Sequence, residues 1–136
     1  MRVIKITILL FAIVFSTNLL SAQEKEEQII KAISFEKGEI ILNNKIAFFY
    51  LKDGNNFSIS DLKNKEVISG QINSVGNGKF SSIITFIASD KKFSNERIIG
   101  RNDLIFALAE NNVIKEDFRI DEVKLASFIE KYNQLK

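Results

Sequence analysis

The apolar residues of this 136-residue chain fall in three rhythms, and each predicts a different kind of element. From Ile6 to Phe15 they are nearly continuous, behind the positive charges of Arg2 and Lys5 and ahead of Ser16, Thr17 and Asn18. From Ile29 to Ile99 they come in short β-favouring runs broken by Gly, Asn and Asp, which predicts a series of strands and turns. From Asn102 onward they recur at helical spacing.

The middle rhythm places strands at about Ala32 to Glu36, Glu39 to Asn43, Lys45 to Lys52, Phe57 to Asp61, Glu66 to Asn73, Phe80 to Ser89 and Phe93 to Ile99. Seven short strands in about seventy residues leave no room for crossover helices, so the sheet is an antiparallel meander. The turns have their own chemistry. Asn43-Asn44 suits a tight hairpin because asparagine tolerates positive φ, and Asp53-Gly54-Asn55-Asn56 is turn-forming throughout. Asn64-Lys65 and Asn77-Gly78 serve the next two links.

Alternation assigns faces. Phe57 and Ile59 alternate with Ser58 and Ser60, which gives that strand one dry and one wet face. In Lys45 to Lys52, Ile46, Phe48 and Tyr50 oppose Ala47, Phe49 and Leu51; in Phe80 to Ser89, Ile84 and Phe86 oppose Ile83 and Ile87. Both of these strands are expected to be covered on two sides, which requires a second layer.

The last rhythm supplies that layer. Asn102 is the expected N-cap of a helix over about 102–111 whose Leu104 to Ala109 are apolar in succession, dry nearly all round. A second helix, about 121–134, starts from an Asp121 cap and carries Val123, Ala126, Phe128, Ile129 and Tyr132 opposite Glu122, Lys124, Glu130 and Lys131, an amphipathic pattern. Val113-Ile114 and Phe118 to Ile120 link the two. Gln23 to Lys31 is read as a solvated leader or a short helix. The expected fold is α+β: a sheet of about seven strands, curled or split, with two C-terminal helices packed on it.

The first rhythm, basic then apolar then small and polar through Ser21-Ala22-Gln23, is that of a secretory signal peptide over 1–22, leaving 23–136 as one domain. The alternative is an uncleaved anchor, since Val3 to Ala22 just reaches the roughly 20 residues of a spanning helix, but Ser16, Thr17 and Asn18 argue against it. Cleavage also changes the charge. The net charge of +2 comes from Arg2 and Lys5, and without them 17 basic residues face 17 acidic ones. A neutral domain with scattered lysines has little attraction for phosphate backbones or anionic lipid, so neither nucleic acid nor, after cleavage, membrane is an expected partner.

The chain has no Cys, His, Trp or Pro. An exported domain without cysteine gains no disulfide, and its core must hold it alone. Without cysteine and histidine, most zinc and copper sites, thiol nucleophiles and histidine-based triads are excluded, and no cofactor is expected.

The remaining motifs have plain alternatives. Ser60-Asp61-Leu62-Lys63 matches the Ser-x-x-Lys of penicillin-recognising enzymes, but it falls at a strand end and lacks the companion motifs, so a capped turn is expected. Glu36 with Glu39, and Glu116, Asp117, Asp121 and Glu122, are the candidate carboxylate sets for acid-base chemistry. The first reads as turn charge, the second as helix N-terminal charge. Asp53-Gly54-Asn55-Asn56 offers calcium one carboxylate, too few for a helix-loop-helix site. Asn56-Phe57-Ser58 is a glycosylation sequon of consequence only in a eukaryotic secretory pathway. Lys91-Lys92-Phe93 pairs basic groups with an aromatic as single-strand binders do, and reads as a solvated hairpin tip.

The signal ending Ser21-Ala22-Gln23, the richness in Lys, Asn, Ile and Phe, and the stretch Phe57 to Ile68 look like small exported proteins of Bacteroidetes bacteria. The resemblance implies periplasm or outside, and brings no functional residues. The expected role is a non-enzymatic binding module of the cell envelope or periplasm, its partner another envelope or secreted protein. The alternatives are an inhibitor or immunity-type protein, and an apolar-ligand binder or small carboxylate-based hydrolase.

Overall fold

The computed structural model describes residues 26–135; the expected signal segment, 1–22, lies outside them. The chain forms one open seven-stranded antiparallel sheet in sequence order, followed by two helices, an α+β fold. The strands are β1 (Ile33–Glu36), β2 (Glu39–Leu42), β3 (Lys45–Asp53), β4 (Asn56–Ser60), β5 (Glu66–Gly76), β6 (Lys79–Phe86) and β7 (Lys91–Phe93). The helices are α1 (Arg101–Glu110) and α2 (Glu122–Tyr132). Asparagine does the turning that the sequence assigns to it: Asn43 and Asn44 both take positive φ, 51° and 65°, in the two-residue link between β2 and β3. That mirror-image turn matches the right-handed twist of the strands it joins.

Both helices press on the same side of the sheet. Phe35 of β1 meets Phe106 of α1 edge-on at 6.1 Å, and Phe93 of β7 stacks on Phe128 of α2 at 5.0 Å. Between them lie Ile40, Leu42, Phe48, Ile59, Ile68, Ile84, Leu104, Leu108 and Leu125, all essentially without solvent contact. Each such side chain contributes about 1.5–3 kcal/mol of burial, and this single core stands in for the absent disulfides.

Five expectations are corrected. The sheet is not covered on two sides: Leu51 is 70 % exposed, and Ile46 and Ile83 are also open to solvent. The two-sided appearance of β3 comes from a bulge. Ile40 pairs with Phe48 and Ile41 with Ile46, so Ala47 is the extra residue and both Ala47 and Phe48 turn inward. The seventh strand ends at Phe93 instead of running to Ile99, because Asn95 accepts a bond from the Arg97 amide at 2.8 Å and donates to the Tyr132 carbonyl at 2.7 Å, diverting the chain into a turn.

Helix α1 begins at Gly100, whose carbonyl accepts the first helical bond from Leu104, and Asn102 sits inside it, accepting from the Arg101 side chain. It is not dry all round either, since Phe106 is 50 % exposed. Finally, Gln23 to Lys25 of the expected leader lie outside the described residues, and residues 26–31 are exposed except Ile30 and form no helix. Ile30 is fully buried, and two asparagines clasp the backbone beside it. Asn112 accepts from Ile29 at 2.9 Å and donates to the Glu27 carbonyl at 3.0 Å; Asn43 accepts from Lys31 at 2.8 Å and donates to the Ile29 carbonyl at 3.1 Å.

Candidate functional site

The two edges of the sheet are finished differently. Just past the end of β7, the C-terminal segment holds the chain: the Gln134 amide donates to the Ser94 carbonyl at 2.7 Å, and the Ser94 and Glu96 amides donate to the side chains of Asn133 and Gln134. At the other edge, β1 pairs with β2 alone among the described residues. An unpaired edge strand presents backbone donors and acceptors to any extended chain.

The side chains at this edge are graded from dry to wet. Ile33 and Phe35 are half-buried and face the helices, whereas Ser34 and Glu36 are exposed on the other face. Phe106, half exposed, stands on α1 against Phe35. The Arg101 guanidinium lies 4.5 Å from the Phe35 ring and 4.3 Å from the Tyr50 ring, a cation held between two aromatic faces that fixes both rings at the strand end. Glu36 and Glu39 are directly opposite each other in the β1–β2 register.

Among the concavities of the described residues, the largest, about 680 Å³, is bordered by Phe80, Ser94, Arg97 and Gln134, and two others lie against the two faces of the sheet. The uncovered sheet face has a hollow of about 390 Å³ bordered by Leu51, Ser58, Ser69, Gln71, Ile83 and Thr85. A smaller cavity of about 200 Å³ lies between the sheet and the link before α2, walled by Phe48, Val67, Phe86, Phe118 and Ile120, with Asp61, Arg119 and Glu122 also lining it. Phe118 adopts φ 68°, a left-handed conformation rare for an aromatic residue. Packing of its ring against the core offsets that strain.

The motifs weighed in the sequence resolve as follows. Asp61 accepts from the amides of Lys63 at 2.9 Å and Lys65 at 3.0 Å, so Ser60 to Lys63 is an aspartate-capped turn and not the helical turn that would stack amine under hydroxyl. Asp121 accepts from the Val123 and Lys124 amides at 3.1 Å and caps α2. Asp117 accepts from the amide and guanidinium of Arg119, and those two donors hold its carboxyl below the ordinary value. Glu116 and Glu122 remain exposed.

Among the described residues, no three His, Cys, Asp or Glu converge as metal ligands would. Asp53 to Asn56 is the β3–β4 turn. Phe93 is fully buried in its stack on Phe128, so Lys91 and Lys92 have no exposed aromatic beside them, and they lie on β7 instead of at a hairpin tip.

The residues that set the edge apart, Phe106 and Arg101, were not singled out by the sequence, because six apolar residues in succession hide which one faces outward. The clasping Asn112 had a local signal: an Asn-Asn pair just after a helix is a common left-handed terminator, and Asn112 takes φ 54°. Comparison of the chain with protein-family models, with curated proteins and with solved structures finds no match.

Proposed function

We propose that the chain is an exported, non-enzymatic binding module of the cell envelope or periplasm that engages another protein by adding a strand at β1. One observation carries this reading: β1 pairs with β2 alone among the described residues, and a half-exposed phenylalanine stands on the covering helix beside it, a feature the other edge strand lacks. Strand addition draws affinity from main-chain bonds and specificity from side-chain contacts, and the unpaired side of β1 with Phe106 beside it supports that mode. The carboxylates support the same direction, since Asp61, Asp117 and Asp121 are engaged with backbone amides of turns and a helix cap. No helix among the described residues is long and apolar enough to cross a membrane.

The test is capture from envelope extracts of the native host by the chain from Gln23 onward, alongside the same chain carrying Glu36→Lys and Phe106→Ser. A partner held by the first and lost by the second supports strand addition at β1; a partner held equally by both contradicts it. If the captured protein is an enzyme or toxin that loses its activity, the module is an inhibitor or immunity-type protein.

The cavity behind Phe118 favours a second reading, a binder of a small apolar ligand. Its volume is below the 300 Å³ or so at which drug-sized pockets begin. Thermal-shift titration with indole decides that reading, with no shift at millimolar indole removing it.

A further inference from the structure

The geometry points to a particular class of strand at β1: an extended peptide segment whose inward side chains are apolar and whose outward side chains are basic. This deepens the edge-binding reading and rests on it. A strand laid beside β1 continues the pleat, so its side chains alternate between the two faces of the sheet in step with Ile33, Ser34, Phe35 and Glu36. On the helix side, the incoming residue lies next to Phe35 and covers Phe106, whose ring is half in water although it already touches Phe35. An apolar residue there completes the core at its unfinished margin.

On the opposite side the electrostatics select the partner. Glu36 and Glu39 are directly opposite in register, a cross-strand pair of like charge, and the salt bridges among the described residues, Lys31–Glu27, Arg119–Asp117 and Lys124–Glu26, involve neither. Directly opposed like charges destabilise a sheet, and a cation brought alongside relieves them. Lysine or arginine next to Glu36 therefore both neutralises and is neutralised. An acidic strand adds a third carboxylate to the pair.

A second copy of this chain fits the same edge poorly. Antiparallel pairing of β1 with β1 that keeps Ile33 and Phe35 of both copies on the helix side pairs even-numbered positions with even-numbered ones. Every such register sets Glu36 against Ile30, Ala32, Ser34 or Glu36, none of them basic, and leaves the carboxylates without a cation. A foreign strand of apolar and basic residues meets both requirements at once.

The experiment uses the chain from Gln23 onward and two fluorescent octapeptides, one alternating valine with lysine and one alternating valine with glutamate, compared by anisotropy at low salt. The valine-lysine peptide is expected to bind at least tenfold more tightly, and in hydrogen exchange it slows the amides of residues 33–36. Glu36→Lys with Glu39→Lys is expected to reverse the preference, and Phe106→Ser to weaken the valine-lysine peptide about tenfold; Glu36 and Phe106 are exposed and Glu39 is half-buried, and far-ultraviolet circular dichroism verifies the fold.

Equal binding of both peptides with protection at 33–36 overturns the basic class while leaving the edge as the binding surface. Absence of protection at 33–36 with either peptide overturns both. Sedimentation showing a dimer that Glu36→Lys with Glu39→Lys leaves intact and that excludes the peptide assigns the edge to a second copy, and overturns the proposal.

Discussion

At the scale of single residues, the fold depends on a few close fits. Gly70 faces Phe57 across β4 and β5, and the Phe57 ring occupies the space a β-carbon on Gly70 would need. Gly70→Ala is predicted to destabilise by about 1–3 kcal/mol in urea titration, the usual cost of overpacking. In a Phe57→Ala background the same change should cost much less, since the clashing ring is gone.

Asp121→Ala removes the cap of α2 and is expected to cost about 1 kcal/mol. Asn112→Ala cuts two bonds to the Glu27–Ile29 backbone and is expected to cost about 1–3 kcal/mol while raising amide exchange at Ile29. Asn112→Gly keeps the left-handed backbone without the clasp. If it restores stability to Asn112→Ala, the backbone conformation and not the side chain was the source of the loss.

At the scale of elements, the meander was legible because its signals are local. The hairpins at Asn43-Asn44 and Asn77-Gly78 need residues that accept positive φ, and the sequence supplies them at those positions. The Asp121 cap likewise follows from one side chain and two nearby amides. What the sequence did not disclose depends on contacts made across space. The bulge at Ala47 turns two neighbours to the same side, so simple alternation misassigned the outer face of β3. Phe106 and Ala107 differ in exposure only because of where α1 lies against β1. The premature end of β7 depends on a bond from Asn95 to Tyr132, thirty-seven residues away.

The site had only one visible part in the sequence: Glu36 and Glu39 flank the Lys37-Gly38 turn, so their apposition could be read, but the edge character of β1 could not. Strand count does not say which strand has a neighbour on only one side, and the aromatic beside it belongs to an element more than sixty residues on.

At the scale of the whole molecule, the titration behaviour should be flat over a wide range. Lys31 holds the Glu27 carboxyl below 4.5, and the Arg119 donors hold Asp117 below 3.8; both therefore contribute stability above those values that is lost as pH falls through their depressed values in the folded chain. Lys31, raised above 10.5 by Glu27, contributes below that value and loses it as pH rises through the raised one. All three are solvent-exposed, so the changes are small. With no histidine in the chain, the urea midpoint is expected to vary little between about pH 5 and 9, and a steep change near pH 6.5 would contradict this assignment.

The same asymmetry of the molecule, a three-residue edge strand followed by a chain held to the C-terminal segment on one side and β1 with a half-exposed Phe106 beside it on the other, underlies the proposed role. Its most direct test is a photo-crosslinking residue placed at Ser34 on β1 and, separately, at Lys92 on β7, in the full chain expressed in its native host. The account predicts a discrete adduct with another envelope protein from position 34 and none from position 92; an adduct from position 92 alone, or equal labelling from both, would contradict it.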